Sequence, residues 1–176
     1  MKMLEDDAIR LRALEPEDLE FLYRWENETS LWDVGNTLAP YSRYNLKEYI
    51  AQSHEDIYTL RQLRLVIEAK ESHLPLGMID LFDFEPHHRR AAVGILIIEE
   101  RRGEGIGRRA LCLLHSYAFE FLRLHQLYAH IPAENEASRR LFLGTGYKES
   151  GRLKEWLVEG GKYQDVVVVQ KMGEEK

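Results

Sequence analysis

The chain has 176 residues, with 24 Lys and Arg against 30 Asp and Glu, for a net charge of −6. That length predicts one domain burying about 70% of its unfolded surface, and 44% hydrophobic with 31% charged residues excludes intrinsic disorder. The acidic balance argues against a general nucleic-acid binder and favours cationic partners.

In chain order, Ile9, Arg10, Leu11 and Arg12 alternate apolar and charged, which predicts a strand with one buried face. Pro16 opens a helix carrying Leu19, Leu22 and Trp25 at three-residue spacing. Periodicity then fails over residues 27–44, which read as a long, functional loop. Asn45 is the expected cap of a second helix with Leu46, Tyr49 and Ile50. Leu63, Leu65 and Ile67 mark a strand, residues 76–84 a second and 91–98 a third, joined by short turns as an antiparallel meander. The third run has almost no polar residue and reads as buried on both faces. A glycine-rich segment leads into a helix with Ile106, Ala110, Leu113, Leu114, Tyr117 and Phe121 at helical spacing, in which Cys112 reads as a small buried hydrophobe. Residues 127–131 form a short strand, Asn135 caps a helix holding Ala137, Leu141 and Phe142, and residues 153–158 and 163–169 form a hairpin around Gly160-Gly161. The order β-α-α-β-β-β-α-β-α-β-β is that of an α/β or α+β single domain spanning 1–176. No apolar run approaches the ~18 residues that span a bilayer, no secretory signal is legible, and a lone cysteine suits a reducing compartment, so a cytoplasmic, membrane-free protein is expected. His87 and His88 lack a third ligand at metal spacing, so no metal is expected.

The segment Arg101-Arg102-Gly103-Glu104-Gly105-Ile106-Gly107-Arg108 lies between a buried strand and an amphipathic helix. A helix start presents free N–H groups and a partial positive charge, and glycines let an anion approach the backbone. Arg102 and Arg108 add bidentate donors suited to phosphate. A Walker loop is excluded, because no Gly-Lys-Ser/Thr follows. A Rossmann fingerprint is excluded too: the third glycine comes one residue early and the next strand ends without a carboxylate. A pyrophosphate site of neither type remains, beside the plain alternative of a Gly-rich turn with exposed arginines.

Arg102-x-x-Gly105-x-Gly107 after a strand resembles the acetyl-coenzyme A signature of the GNAT superfamily of N-acetyltransferases. Asn135-x-x-Ser138-x-x-Leu141-Phe142, closing in Gly146-Tyr147, resembles that superfamily's second element in order and spacing. Residues 77–83 with His88-Arg89-Arg90, and the terminal Gly161-Lys162-Tyr163-x-Asp165, look like the bacterial spermidine acetyltransferase branch, to which the ribosomal-protein N-terminal acetyltransferases are a close sister.

The resemblance implies a GNAT fold, a mixed, mostly antiparallel twisted sheet flanked by helices. It implies acetyl-CoA as cosubstrate in an opening between two strands. Carried over, the backbones of Ile95, Leu96 and Ile97 would bond the acetyl-pantetheine arm, and Arg102, Gly103, Gly105, Ile106, Gly107 and Arg108 would hold the pyrophosphate. Asn135, Ser138 and Phe142 would border the arm, although Asn135 serves equally as a helix cap. Phe142 stands where many relatives have a tyrosine thought to protonate the leaving thiolate. An alkyl ammonium, with a pKa of about 10.4, must lose a proton before it can attack. Asp80 and Asp83 on the neighbouring strand, with Glu26 and Glu28 in or beside the long loop, are the candidate carboxylates for holding the amine and taking that proton. Being three apart, Asp80 and Asp83 face opposite ways on an ideal strand. The expected reaction is acetyl transfer to a small cationic amine, preferably a polyamine such as spermidine. A protein N-terminus is the second acceptor reading, and a non-catalytic acetyl-CoA-binding module is the rival from another class. The oligomeric state stays open, a homo-oligomer included.

Overall fold

The computed structural model describes residues 3–32 and 37–173. A seven-stranded sheet runs β1 (Ile9–Arg12), β2 (Leu63–Ala69), β3 (Pro75–Glu85), β4 (Arg90–Ile97), β5 (Gln126–Pro132), then β7 (Lys162–Met172) and β6 (Lys148–Glu159). Among the described residues only the β4–β5 pairing is parallel, and the helical crossover between those strands makes it so. The expected β2-β3-β4 meander is present.

Two apolar layers cover the sheet. One face packs Ile9, Leu11, Ile67, Ile79, Leu81, Leu127 and Val167 against α4 (Ile106–Ser116), whose inward positions are Ile106, Ala110, Leu111 and Leu114, and against Phe142 of α5 (Glu136–Leu143). The other face packs Val66 and Met78 under Leu22 of α1 (Leu19–Glu26) and under Leu46 and Ile50 of α2 (Arg43–Gln52). Each helix presents one apolar stripe at 3.6-residue spacing, and that stripe is what it buries. Arg12 crosses this second layer, bonding Asp18 at 2.8 Å and pairing with the buried Glu68. Neither carboxylate is therefore left as an uncompensated charge.

Several local expectations are corrected. The second helix begins at Arg43 and is capped by Ser42, whose hydroxyl accepts from the Asn45 N–H at 3.0 Å; Asn45 sits in the first turn. A short helix α3 (Ile57–Leu60), capped by Asp56, follows it. The helix after the glycine segment ends at Ser116 and continues as a wider π turn, Tyr117–Phe121. Cys112 is exposed, because α4 turns it away from the sheet. The long loop contains a 3₁₀ turn, Thr29–Leu31, that Glu28 caps, and Asn27 ties its ends by bonding the Tyr41 backbone in both directions at 2.8 and 3.0 Å. None of the described helices is long and apolar enough to cross a membrane.

Candidate active site

The third predicted strand is not buried on both faces along its length. Among the described residues, β4 pairs with β5 only through Arg90–Gln126, Ala91–Leu127 and Ala92–Tyr128. Beyond Ala92, β4 continues on β3 as far as Ile97, and β5 continues on β7 as far as Pro132. The two strands therefore diverge, and the β4 edge from Val93 to Ile97 has a partner strand on one side only. Gly94, Ile95, Leu96 and Ile97 are half-buried where Ala91, Ala92 and Val93 are buried. An extended edge with free N–H and C=O groups is a template for an extended polar chain. Ile95 and Ile97 pack on the α4 core, which leaves their backbones to serve the opening.

The glycine segment closes one end of this fork. Gly103 and Gly105 take φ of 81° and 80°, the left-handed region, and a Cβ at either would meet nothing within 4 Å. Glycine is needed here for the backbone turn rather than for lack of room. Gly105 is the N-cap of α4 with no side-chain cap, and the first intrahelical bond is Arg109 N–H to Gly105 O. The N–H groups of Ile106, Gly107 and Arg108 consequently precede the ladder and are available to an anion. Gly107 has a different reason: its Cβ would press on Leu141 of α5 at 3.1 Å and lie 3.8 Å from Ile95, so it sets how closely α4, α5 and β4 approach. Arg102 is exposed and donates from Nε to the Ile97 carbonyl at 3.1 Å, joining the loop to the end of β4. Arg108 is exposed and enters no ion pair among the described residues. Arg109, by contrast, is held by Asp6 at 2.9 Å and Asp7 at 2.6 Å, away from the loop. Across the fork, Asn135 accepts from the Ser138 N–H at 3.1 Å as the cap of α5. Phe142 does not reach the cleft surface: its ring is 3% exposed and meets Tyr147 edge-on at 4.9 Å. Tyr147 is equally buried, and its hydroxyl lies 3.1 Å from Nε2 of the buried His115. Burial pushes His115 down to about 4 and pushes the Tyr147 phenol up.

The carboxylates separate into two environments. Arg64 on β2 lies opposite Asp80 and forks both its oxygens, at 2.9 and 2.8 Å, while its third nitrogen reaches Glu26 at 2.5 Å. Burial would lower the Arg64 guanidinium, but Asp80, with Tyr49 and Glu26, raises it overall. Asp80 and Glu26 thus share one cation. Asp83 is exposed at a bulge, with φ of 45° and a register break between Phe82 and Glu85. That bulge puts Leu81 and Phe84, three apart, in the same core, so ideal alternation between Asp80 and Asp83 does not hold. Glu28 is exposed and engaged with Ser30 at 3.1 Å. Trp25 packs on Phe21 at 4.3 Å, and Trp32 donates to the Glu26 carbonyl at 3.0 Å. Arg64 was not a sequence candidate; its place on a strand opposite Asp80 was a usable signal once register was known.

A fork in a mixed sheet with a donor-rich, glycine-turned helix start at its mouth suits an acyl-pantetheine pyrophosphate. The family profile for the acetyltransferase (GNAT) domain matches residues 8–148. The chain belongs to the GNAT acetyltransferase family. Spermidine N(1)-acetyltransferase of Vibrio cholerae is 31% identical over 161 residues, 92% of this chain and 91% of that one. Among solved structures, the spermidine N-acetyltransferase of V. cholerae in complex with CoA and spermine is similar at a TM-score of 0.84 and 29% identity, over 95% of this GNAT chain and 96% of the other. A dodecameric structure of the V. cholerae spermidine N-acetyltransferase has a TM-score of 0.79 and 30% identity over 95% of each chain.

Proposed function

We propose that this chain transfers the acetyl group of acetyl-CoA to a primary amine of a small polyamine such as spermidine. The observation that carries the reading is the open β4 edge, Val93 to Ile97, with the glycine-turned start of α4 at its mouth. In this reading the N–H and C=O groups of Ile95 and the N–H of Ile97 continue the sheet onto the pantetheine arm, while Leu96, between them, turns its N–H and C=O to β3 and keeps the strand in place. The N–H groups of Gly103 to Arg108, with the Arg102 and Arg108 guanidiniums, take the pyrophosphate. Ile106 anchors the helix that aims those donors. Asn135 and Ser138 border the arm from the β5 side. Phe142 acts through packing, as it is buried against Tyr147.

The acceptor approaches on the α1–α2 face, where Asp80, Asp83, Glu26 and Glu28 supply negative charge. Asp83 is the carboxylate best placed to hold an ammonium and relay its proton to water, because Asp80 and Glu26 already share Arg64. Attack by the neutral amine on the thioester then needs N–H donors at the carbonyl oxygen, and the β4 edge supplies them. The spermine in the V. cholerae complex supports a polyamine acceptor, and the dodecameric neighbour supports a homo-oligomer. The lone cysteine supports a cytoplasmic setting.

The test is release of free thiol from acetyl-CoA with spermidine, spermine, a short peptide amine or no amine. Polyamine-dependent release is expected. Acetyl-CoA binding without release under any condition would make the chain a binding module, and release with the peptide alone would assign a protein N-terminus as acceptor.

A further inference from the structure

We propose that Tyr128 is the proton donor to the leaving thiolate. The inference rests on the acetyl-transfer reading above and names a catalytic residue within it.

Tyr128 stands at the vertex of the fork. Ala92–Tyr128 is the last β4–β5 pair, and the strands part immediately beyond it. The glycine segment lies at the other end of β4, after Ile97, so an arm held by its pyrophosphate at that end has its thioester directed towards the vertex. The row crossing the sheet there is Phe82, Ala92, Tyr128 and Gln170, in which Tyr128 carries the one hydroxyl. Leu127, Ala129 and Ile131 bury into the α4 core, so Tyr128 and His130 face the opposite, acceptor side, with ring centroids 5.7 Å apart. Gly94, opposite Asp80 on the same face, has no side chain to block that side; a Cβ there would come 3.4 Å from the Phe82 ring.

The phenol near α5 is excluded by its surroundings. Tyr147 is 2% exposed, with its oxygen committed to His115. Phe142 has none to offer. The charged and titratable groups around Tyr128 are Asp83 of β3, Arg90 of β4 and His130 of β5. Burial first and Asp83 second raise the phenol, against Arg90, so it stays protonated at neutral pH.

The step balances as follows. The amine lone pair forms the C–N bond, and the carbonyl π pair moves to oxygen. Collapse re-forms the carbonyl and breaks the C–S bond, its electron pair leaving on sulfur. The sulfur takes the Tyr128 Oη proton, and the extra proton on the new amide nitrogen restores the phenol through water. Free thiol and N-acetylated amine result, with no net proton change from the neutral amine; the one proton released overall is the one the ammonium lost before attack.

Tyr128→Phe removes only the oxygen. With acetyl-CoA and spermidine, kcat should fall about a hundredfold, with the KM for acetyl-CoA unchanged. A second measurement needs no turnover: the pH dependence of CoA binding, by calorimetry, reads the thiol pKa of the bound form. A phenol donating to the thiolate lowers that value, and Tyr128→Phe should raise it by about one to two pH units. Parent-like kcat in a folded Tyr128→Phe, or an unchanged bound-thiol pKa, overturns the assignment. A parent that turns over with no amine refutes the transfer reading instead, which separates the two failures.

Discussion

Asp80→Asn and Asp83→Asn should behave differently, because only one of these carboxylates is free to take on a new cation. Asp80 gives both oxygens to Arg64, and the two side chains are 23% and 24% exposed. Its amide variant leaves Arg64 with Glu26 and removes one partly solvated ion pair. The cost lies between the 0–1 kcal/mol of surface pairs and the 3–5 kcal/mol of broken buried ones, and screening at this exposure brings it to about 1 kcal/mol. In a chain of this size that is a fall in Tm of roughly 2–4 °C. The spermidine KM should rise only about two- to threefold, since Arg64 already neutralises this charge. Asp83 is exposed, enters no ion pair among the described residues, and sits at φ 45°. Asn tolerates the left-handed region better than other side chains, so Asp83→Asn changes charge without straining the bulge. A charge-assisted hydrogen bond contributes about 1.5–3 kcal/mol, and with partial exposure the lower figure applies, so the spermidine KM should rise about tenfold with Tm unchanged. Initial rates of thiol release against spermidine at saturating acetyl-CoA, with a thermal melt of each variant, read both effects. A larger KM effect from Asp80→Asn would refute the reasoning. It would mean that Arg64 surrenders Asp80 when the amine arrives.

Two further outcomes follow from the loop and the core. Gly105→Ala should cost about 1–2 kcal/mol through its φ of 80° yet leave acetyl-CoA binding measurable, because its Cβ enters open space, whereas Gly105→Asp should abolish binding in a folded protein by placing a carboxylate beside the pyrophosphate donors; calorimetry distinguishes them, and parent-like affinity of the Asp variant would remove the loop from the site. His115 titrates near 6.5 when unfolded and about 4 when folded, so the unfolded chain binds the proton first, and stability present above pH 6.5 should fall by about 2 kcal/mol between pH 6.5 and 5; denaturant unfolding at the two pH values checks this, and an unchanged midpoint would contradict it.

The elements that carried strong local signals were legible: the alternation at Ile9–Arg12, the β2-β3-β4 meander and the amphipathic α4 all lie where periodicity places them. The glycine segment was legible because its residue types answer a backbone demand, seen in the positive φ of Gly103 and Gly105. What the sequence withheld was pairwise and long-range. An all-apolar run at 91–98 reads as a strand buried throughout, yet where a neighbouring strand departs is set by β5 and β7 together, not by residues of β4. The Asp83 bulge defeats two-residue alternation for the same reason, since register lives in a pair of strands. Arg64 was invisible as a neutraliser of Asp80 because sixteen residues separate them in the chain. The cap is Ser42 and not Asn45 because both residue types cap well, and the Ser42 hydroxyl takes the N–H of Asn45 itself.

The fork is costly to maintain, and the fold shows how it is maintained. A strand edge left unpaired for five residues forgoes ladder bonds and invites misregistration. Here β4 is held from behind. Met78–Leu96 and Gly77–Ile97 keep its far end on β3, and the N–H of Ile98 extends that hold by donating to the Leu76 carbonyl at 2.9 Å. Gly77 is required for that hold, as a Cβ there would collide with the Leu96 carbonyl oxygen at 2.3 Å. On the other side, β5 is held along its whole length by β7. The opening therefore lies between two strands that are each paired along their other edge, and in the proposed function acetyl-CoA fills a gap those pairings already hold open. Preorganisation of this kind lowers the ordering cost of binding. In the proposed function it also means that Asp83, exposed at its bulge, and Asp80, held by Arg64, are presented at fixed positions before any amine arrives.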